Sequence, residues 1–154
     1  MLAPAVVFDL DGVLFDPRAR KEQFAADFED VDPLMTHEHR EIGDYYHLDT
    51  PMNEDTVAKV NAWKEKGVAI YYLTARRSFG RSQTWKSLEE HGFPTDRISQ
   101  LYMKPSIEMD TQEFKKMVLA ELQKRYTIVG FWDDWEPNRA VAEELGIPVY
   151  EVVE

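Results

Sequence analysis

Asp9 and Asp11 stand two residues apart in Phe8-Asp9-Leu10-Asp11-Gly12. In extended backbone that spacing sends both carboxylates out on one face, and Gly12 allows a sharp turn straight after them. Farther along, Leu73-Thr74-Ala75-Arg76-Arg77 offers a hydroxyl and two guanidiniums, and Trp132-Asp133-Asp134 offers two more carboxylates. Massed carboxylates suit Mg²⁺, which takes one or two of them together with water and a substrate phosphate. Such a cation offsets the repulsion among the acids and lets an anionic phosphate approach. An Asp beside phosphorus can then attack it and form an aspartyl-phosphate. A second carboxylate two residues on can protonate the leaving oxygen and afterwards activate water.

The elements around these residues predict that they meet. Ala5-Val6-Val7-Phe8 is a short apolar run rich in strand formers, and Val68–Leu73, Ile98–Met103, Ile128–Trp132 and Ile147–Val152 read the same way. Helical patterns lie between them. One opens at Thr50-Pro51, with Thr50 as cap and Pro51 at the first helical position, and ends at Gly67. A second covers Trp85–His91, before Gly92. A third is capped by Asp110-Thr111-Gln112-Glu113 and carries Phe114, Val118 and Leu122 on one face. A fourth opens at Pro137 and closes at Gly146. Strands alternating with single helices predict an α/β fold, a doubly wound parallel sheet with both faces covered. In such a sheet ligands bind beyond the carboxyl ends of the strands, where Asp9, Asp11, Thr74, Arg76, Asp133 and Asp134 all fall.

Residues 17–49 break the alternation. They hold a short helix over Arg20–Phe28, an acidic run from Asp27 to Asp32 and the cluster His37-Glu38-His39, with His47 nearby. A segment of this size is too long for a tight connection and too short for a second domain. It reads as a flap or lid beside the site, within a single domain over 1–154. The acidic run and the histidines are expected to be solvated. Tyr45, Tyr46 and Trp85 are expected to serve packing before base stacking, and Trp132 and Trp135 to pack beside the acidic pair.

Composition narrows the partners. The 154 residues carry 18 Lys+Arg against 29 Asp+Glu, a net charge of −11, which argues against generic charge-driven binding of nucleic acid. The absence of cysteine removes disulfides, thiolate metal sites and a cysteine nucleophile. Apolar runs are too short to span a bilayer, and no signal peptide is visible at the start. A cytoplasmic protein with no membrane partner is the expectation, and the oligomeric state is unreadable.

The segment Phe8–Asp16, with Asp9-Leu10-Asp11-Gly12 inside it, resembles the first motif of the haloacid dehalogenase (HAD) superfamily of phosphotransferases. Leu73-Thr74-Ala75-Arg76 is similar to its second motif and Trp132-Asp133-Asp134 to its acidic fourth, so the likeness covers the chain apart from residues 17–49. Among HAD members the chain resembles small, cap-poor ones, notably the 3′-phosphatase domain of phage polynucleotide kinase. The resemblance implies Asp9 as nucleophile and Asp11 as general acid and base. It implies Mg²⁺ held by Asp9, the backbone carbonyl of Asp11, and Asp133, with Asp134 sharing that role. It implies Thr74 on the transferring phosphoryl group and Arg76 on substrate. The third motif is a phosphate-binding lysine, for which Lys115 fits best and Lys104 and Lys116 compete.

The expected activity is Mg²⁺-dependent hydrolysis of a phosphomonoester, on a nucleotide or polynucleotide 3′-phosphate. The alternatives are another small phosphomonoester, such as a 5′-nucleotide or sugar phosphate, and a catalytically silent binding module of HAD fold. A signalling receiver domain ranks lower, because the third strand ends in Lys104 and no acid.

Overall fold

The computed structural model describes residues 2–27, 46–106 and 108–153. In chain order its elements are β1 (Ala3–Phe8), β2 (Phe15–Asp16), α1 (Arg18–Asp27), β3 (Thr50–Pro51), α2 (Thr56–Glu65), β4 (Ala69–Arg77), α3 (Arg81–Glu90), β5 (Leu101–Lys104), α4 (Thr111–Gln123), β6 (Tyr126–Trp132), α5 (Glu136–Glu144) and β7 (Val149–Tyr150). Five strands form one parallel sheet in the order β5-β4-β1-β6-β7. The chain winds outward from β1 to β5, then returns past β1 to β6. The topological switch point is therefore the crevice between β1 and β6, where a doubly wound sheet binds its ligands.

Alternation along β1 feeds both layers. Val6 and Phe8 face one core with Val60, Ile70, Tyr72 and Leu88. Ala5 and Val7 face the other with Leu73, Phe114, Leu119, Phe131 and Ala142. Burying the aliphatic and aromatic side chains of these two layers contributes about 1.5–3 kcal/mol each. Trp132 stacks between Phe8 and Tyr150, at 4.6 and 4.9 Å between ring centres. Trp85 packs on the first core, whereas Trp135 is largely exposed.

Three local expectations need correction. Thr50-Pro51 does not open a helix: it pairs antiparallel with Phe15-Asp16, which takes those residues into extended backbone. Helix α2 starts at Thr56 instead, after a turn in which Asn53 Oδ1 accepts from the Asp55 N–H and Thr56 Oγ1 from the Asn53 N–H. Ile98-Ser99-Gln100 is a 3₁₀ turn, so β5 begins only at Leu101. The last strand is also shorter than expected, covering Val149-Tyr150. The capped helix holds, with Asp110 Oδ2 accepting from the Glu113 N–H at 2.9 Å. His37, Glu38, His39, Tyr45 and the acidic run beyond Asp27 lie outside the described residues.

Candidate active site

The backbone leaves β1 through a tight loop in which the Val13, Leu14 and Phe15 N–H groups donate to the Leu10 carbonyl. Gly12 sits in that loop at φ 85°, and a Cβ there would lie 2.1 Å from Asp134 Oδ2. No side chain fits between this loop and the acidic pair after β6.

Asp9, Asp133 and Asp134 converge across the switch point, each offering an oxygen within 4.8 Å of the others. Lys115 reaches them from α4. Its Nζ donates to Asp133 Oδ2 at 2.7 Å and lies 3.2 Å from Asp9 Oδ1, with the side chain 1% exposed. Of the three candidate lysines Lys115 is the one among these acids: Lys104 donates to Thr111 Oγ1, and Lys116 pairs with Glu144 at the surface. Three carboxylates against one ammonium leave an excess of negative charge. Burial pushes the Asp9 carboxyl up, Lys115 pulls it back, Asp133 and Asp11 raise it further, and the outcome is about 7. Burial opposes charge on Lys115 as well, but Asp9 and Asp133 outweigh it and hold the ammonium above its ordinary range. Asp134 is also shifted upward, by burial and by Asp133.

A divalent cation fits this donor set. The ligands are hard oxygens, the charge excess is of the right sign, and Asn138 Oδ1 beside Asp133 is buried without a hydrogen-bond donor among the described residues. Asp133 is itself fixed by the Asn138 amide at 3.1 Å, by the Trp135 N–H at 3.0 Å, and through its carbonyl by Arg139 at 2.9 Å.

Asp11 belongs to a different cluster. Arg76 grips it with two nitrogens, Nη2 to Oδ1 at 2.8 Å and Nε to Oδ2 at 3.1 Å, and Arg20 Nη1 adds a bond at 3.0 Å. Asp49, next to β3, lies beneath, receiving Arg76 Nη2 at 2.9 Å, Arg76 Nη1 at 3.1 Å and Arg20 Nη1 at 3.2 Å. Arg76 Nη1 also reaches Thr84 Oγ1. Burial pushes the Asp11 carboxyl up, but Arg76 and Arg20 outweigh it and hold the group far below the usual carboxylate range. Arg76, expected to contact substrate, is here engaged within the protein. Every N–H of its fork has an acceptor inside the protein, and the side chain is 2% exposed. The slip in β4–β5 register between Thr74 and Arg77, which skips Ala75 and Arg76, is what turns Arg76 toward Asp11. Thr74 is buried and its Oγ1 accepts from the Arg76 N–H at 3.1 Å, leaving its own proton to donate.

Sequence reading missed Arg20, Asp49, Asn138 and Arg139. Asn138 and Arg139 had a usable signal, one turn into the helix that follows the acidic pair. Arg20 and Asp49 had none, because the β2–β3 ribbon alone brings them to Asp11.

With the geometry in place, comparison with known proteins becomes informative. The family model described as "PITM 1-3, LNS2 domain" matches residues 6–133. The chain belongs to that family. No curated protein sequence matches the LNS2-family chain. Among solved structures it resembles a chain of the Pnkp1/Rnl/Hen1 complex at TM-score 0.74 and 22% identity, covering 98% of this chain and 46% of that one. It resembles the tungstate-bound class C acid phosphatase from Bacillus anthracis at 0.66 and 19%, covering 95% and 63%. A haloacid dehalogenase-like hydrolase from Streptococcus pneumoniae gives 0.63 and 12%, covering 96% and 83%. The chain spans less than two thirds of the first two of these proteins. At such identities the likeness is one of fold, and that fold is the HAD fold. Among the described residues no helix is long and apolar enough to cross a membrane.

Proposed function

We propose that this LNS2-family chain is a Mg²⁺-dependent phosphomonoester hydrolase working through an aspartyl-phosphate on a nucleotide or polynucleotide 3′-phosphate. The observation that carries the reading is the convergence of Asp9, Asp133 and Asp134 at the switch point with buried Lys115 between two of them. Asp9, Asp133 and Asp134 would hold Mg²⁺ with the Asp11 carbonyl, and the ion supplies neutralisation of the phosphate and of the acids around it.

Asp9 attacks phosphorus as the bond to the leaving oxygen breaks, and Asp11 gives that oxygen its proton. Asp11, now a carboxylate, takes a proton from water as the water oxygen attacks phosphorus and the Asp9–phosphorus bond breaks. Free phosphate leaves and Asp11 is protonated again. Thr74 and Lys115 donate to the phosphoryl oxygens throughout. The grip of Arg76 and Arg20 on Asp11 favours its carboxylate form, the form needed for the water step. Arg20 and Asp49, from the described ends of the 17–49 segment, gather with Arg76 beside Asp11.

The solved structure titled the Pnkp1/Rnl/Hen1 RNA repair complex, at 21% identity and TM-score 0.72, supports the choice of a polynucleotide end. A second reading, a binding module of the same fold, draws on the saturated Asp11–Arg76 pair. The two separate in one assay: phosphate release with Mg²⁺ from a 3′-phosphorylated oligonucleotide and from a 3′-mononucleotide. Release that disappears in Asp9→Asn supports the hydrolase. Binding of either ligand without release, in the presence of Mg²⁺, supports the module.

A further inference from the structure

Lys115, Arg20, Arg76 and Arg77 are the buried cations among the described residues. The first three rest on carboxylates. Arg77 does not. It is 8% exposed, and its Nη2 is sealed from solvent with no acceptor among the described residues. Leaving a buried donor without an acceptor is costly, and such a group calls for an explanation, an absent ligand being one.

The placement of Arg77 says which ligand. It ends β4 at the carboxyl edge of the sheet, three residues past Thr74 and so at most about 10 Å beyond it along the chain. It stands in register with Lys104, the last residue of β5, and Arg81 opens the next helix. Three basic residues therefore fall at the carboxyl ends of β4 and β5 and at the start of the next helix, in a chain whose net charge is −11. The guanidinium lies 5.1 Å from the ring centre of Phe79, and Phe79 is 63% exposed. A planar fork of N–H donors matches a phosphate, and a solvent-facing ring beside it is a stacking platform for a base.

We propose that Arg77 and Phe79 form a subsite for the nucleotide adjoining the reacting 3′-phosphate, the guanidinium taking its phosphodiester and the ring stacking its base. The assignment rests on the hydrolase reading above and deepens it: the preferred substrate is an oligonucleotide end, not a mononucleotide.

The test is fluorescence anisotropy of a 5′-labelled, 3′-phosphorylated trinucleotide on the full chain carrying Asp9→Asn, which prevents turnover. Adding Arg77→Gln should weaken binding about tenfold, with Arg77→Lys falling between, and lower the salt slope by about 0.7. Phe79→Ala, a change at an exposed ring, should weaken it about fivefold and decides the matter if Arg77→Gln fails to fold by circular dichroism. Equal binding by all variants, or a 3′-mononucleotide competing as well as the unlabelled trinucleotide, would overturn the subsite. Hydrolysis of the 3′-phosphorylated trinucleotide by the chain with Asp9 intact checks the hydrolase reading separately. Its absence beside Arg77-dependent binding would remove the reaction and keep the subsite.

Discussion

Two acid clusters share the carboxyl edge of this sheet and solve the same problem in opposite ways. Asp9, Asp133 and Asp134 face a single ammonium, Lys115, and burial together with the neighbouring acids pushes the Asp9 carboxyl up to about 7. Asp11 and Asp49 face two guanidiniums, Arg20 and Arg76, and the Asp11 carboxyl is driven far below its usual range. The first cluster keeps an excess of acids that a divalent cation could offset. The second is neutral within itself and acts as a clamp that fixes Asp11. The difference teaches how one edge can hold one carboxyl shifted up and another shifted down: both are buried, and the number of cations set against each decides the direction.

Several substitutions break or sharpen that contrast. The largest effect is expected from Asp9→Asn, which should lower phosphate release by about a thousandfold or more by removing the nucleophile. In EDTA the same change should raise the melting temperature, because it relieves the surplus charge. A fall in melting temperature would mean that the first cluster is already balanced. The clamp should respond in the other direction. Asp49→Asn leaves Arg20 and Arg76 short of a buried carboxylate and should cost about 3 kcal/mol in chemical denaturation. Asp11→Asn should cost less, about 2 kcal/mol, since its side chain is 29% exposed.

The pH dependence follows from Asp9. Its folded value of about 7 lies above the ordinary carboxylate value of 3.8. Between those limits the native state binds more protons than the unfolded state, so stability of the metal-free protein should decline as pH rises from about 4 to 7. Mg²⁺ competes with that proton. The rise in melting temperature on adding Mg²⁺ should therefore be a few degrees larger at pH 8 than at pH 6, and an equal rise at both would show that Asp9 is not a ligand. The smallest effect belongs to Lys116→Ala, which breaks a surface pair with Glu144 and should change stability by less than about 0.5 kcal/mol. Lys115→Ala, one position earlier in the helix, measures by contrast what burial between two acids adds.

Much of this site could be read along the chain. Asp9, Asp11, Thr74 and Asp133-Asp134 each follow a run of buried strand residues, so local pattern alone predicts both their elements and their common edge. Thr50-Pro51 shows where local pattern fails. Its cap-and-proline signal is a sound helix start, but pairing with Phe15-Asp16 supplies backbone partners that the helix would not. Lys115 shows a second limit. Its neighbours Phe114 and Val118 fix the helix, yet whether position 115 faces solvent or acids depends on how α4 lies across the sheet.

The sequence by itself determined the alternation of strands and helices, hence a doubly wound sheet, and the acids at its carboxyl edge, because periodicity and turn residues act over a few neighbours. Only the tertiary structure decided which lysine enters the acidic cluster, that Arg76 turns inward onto Asp11 and Asp49, and that the Arg77 Nη2 is buried with no acceptor among the described residues. Those outcomes depend on charges brought together from residues as far apart as 11 and 76, and electrostatic pairing in a desolvated interior is set by distance in space, which spacing along the chain does not encode.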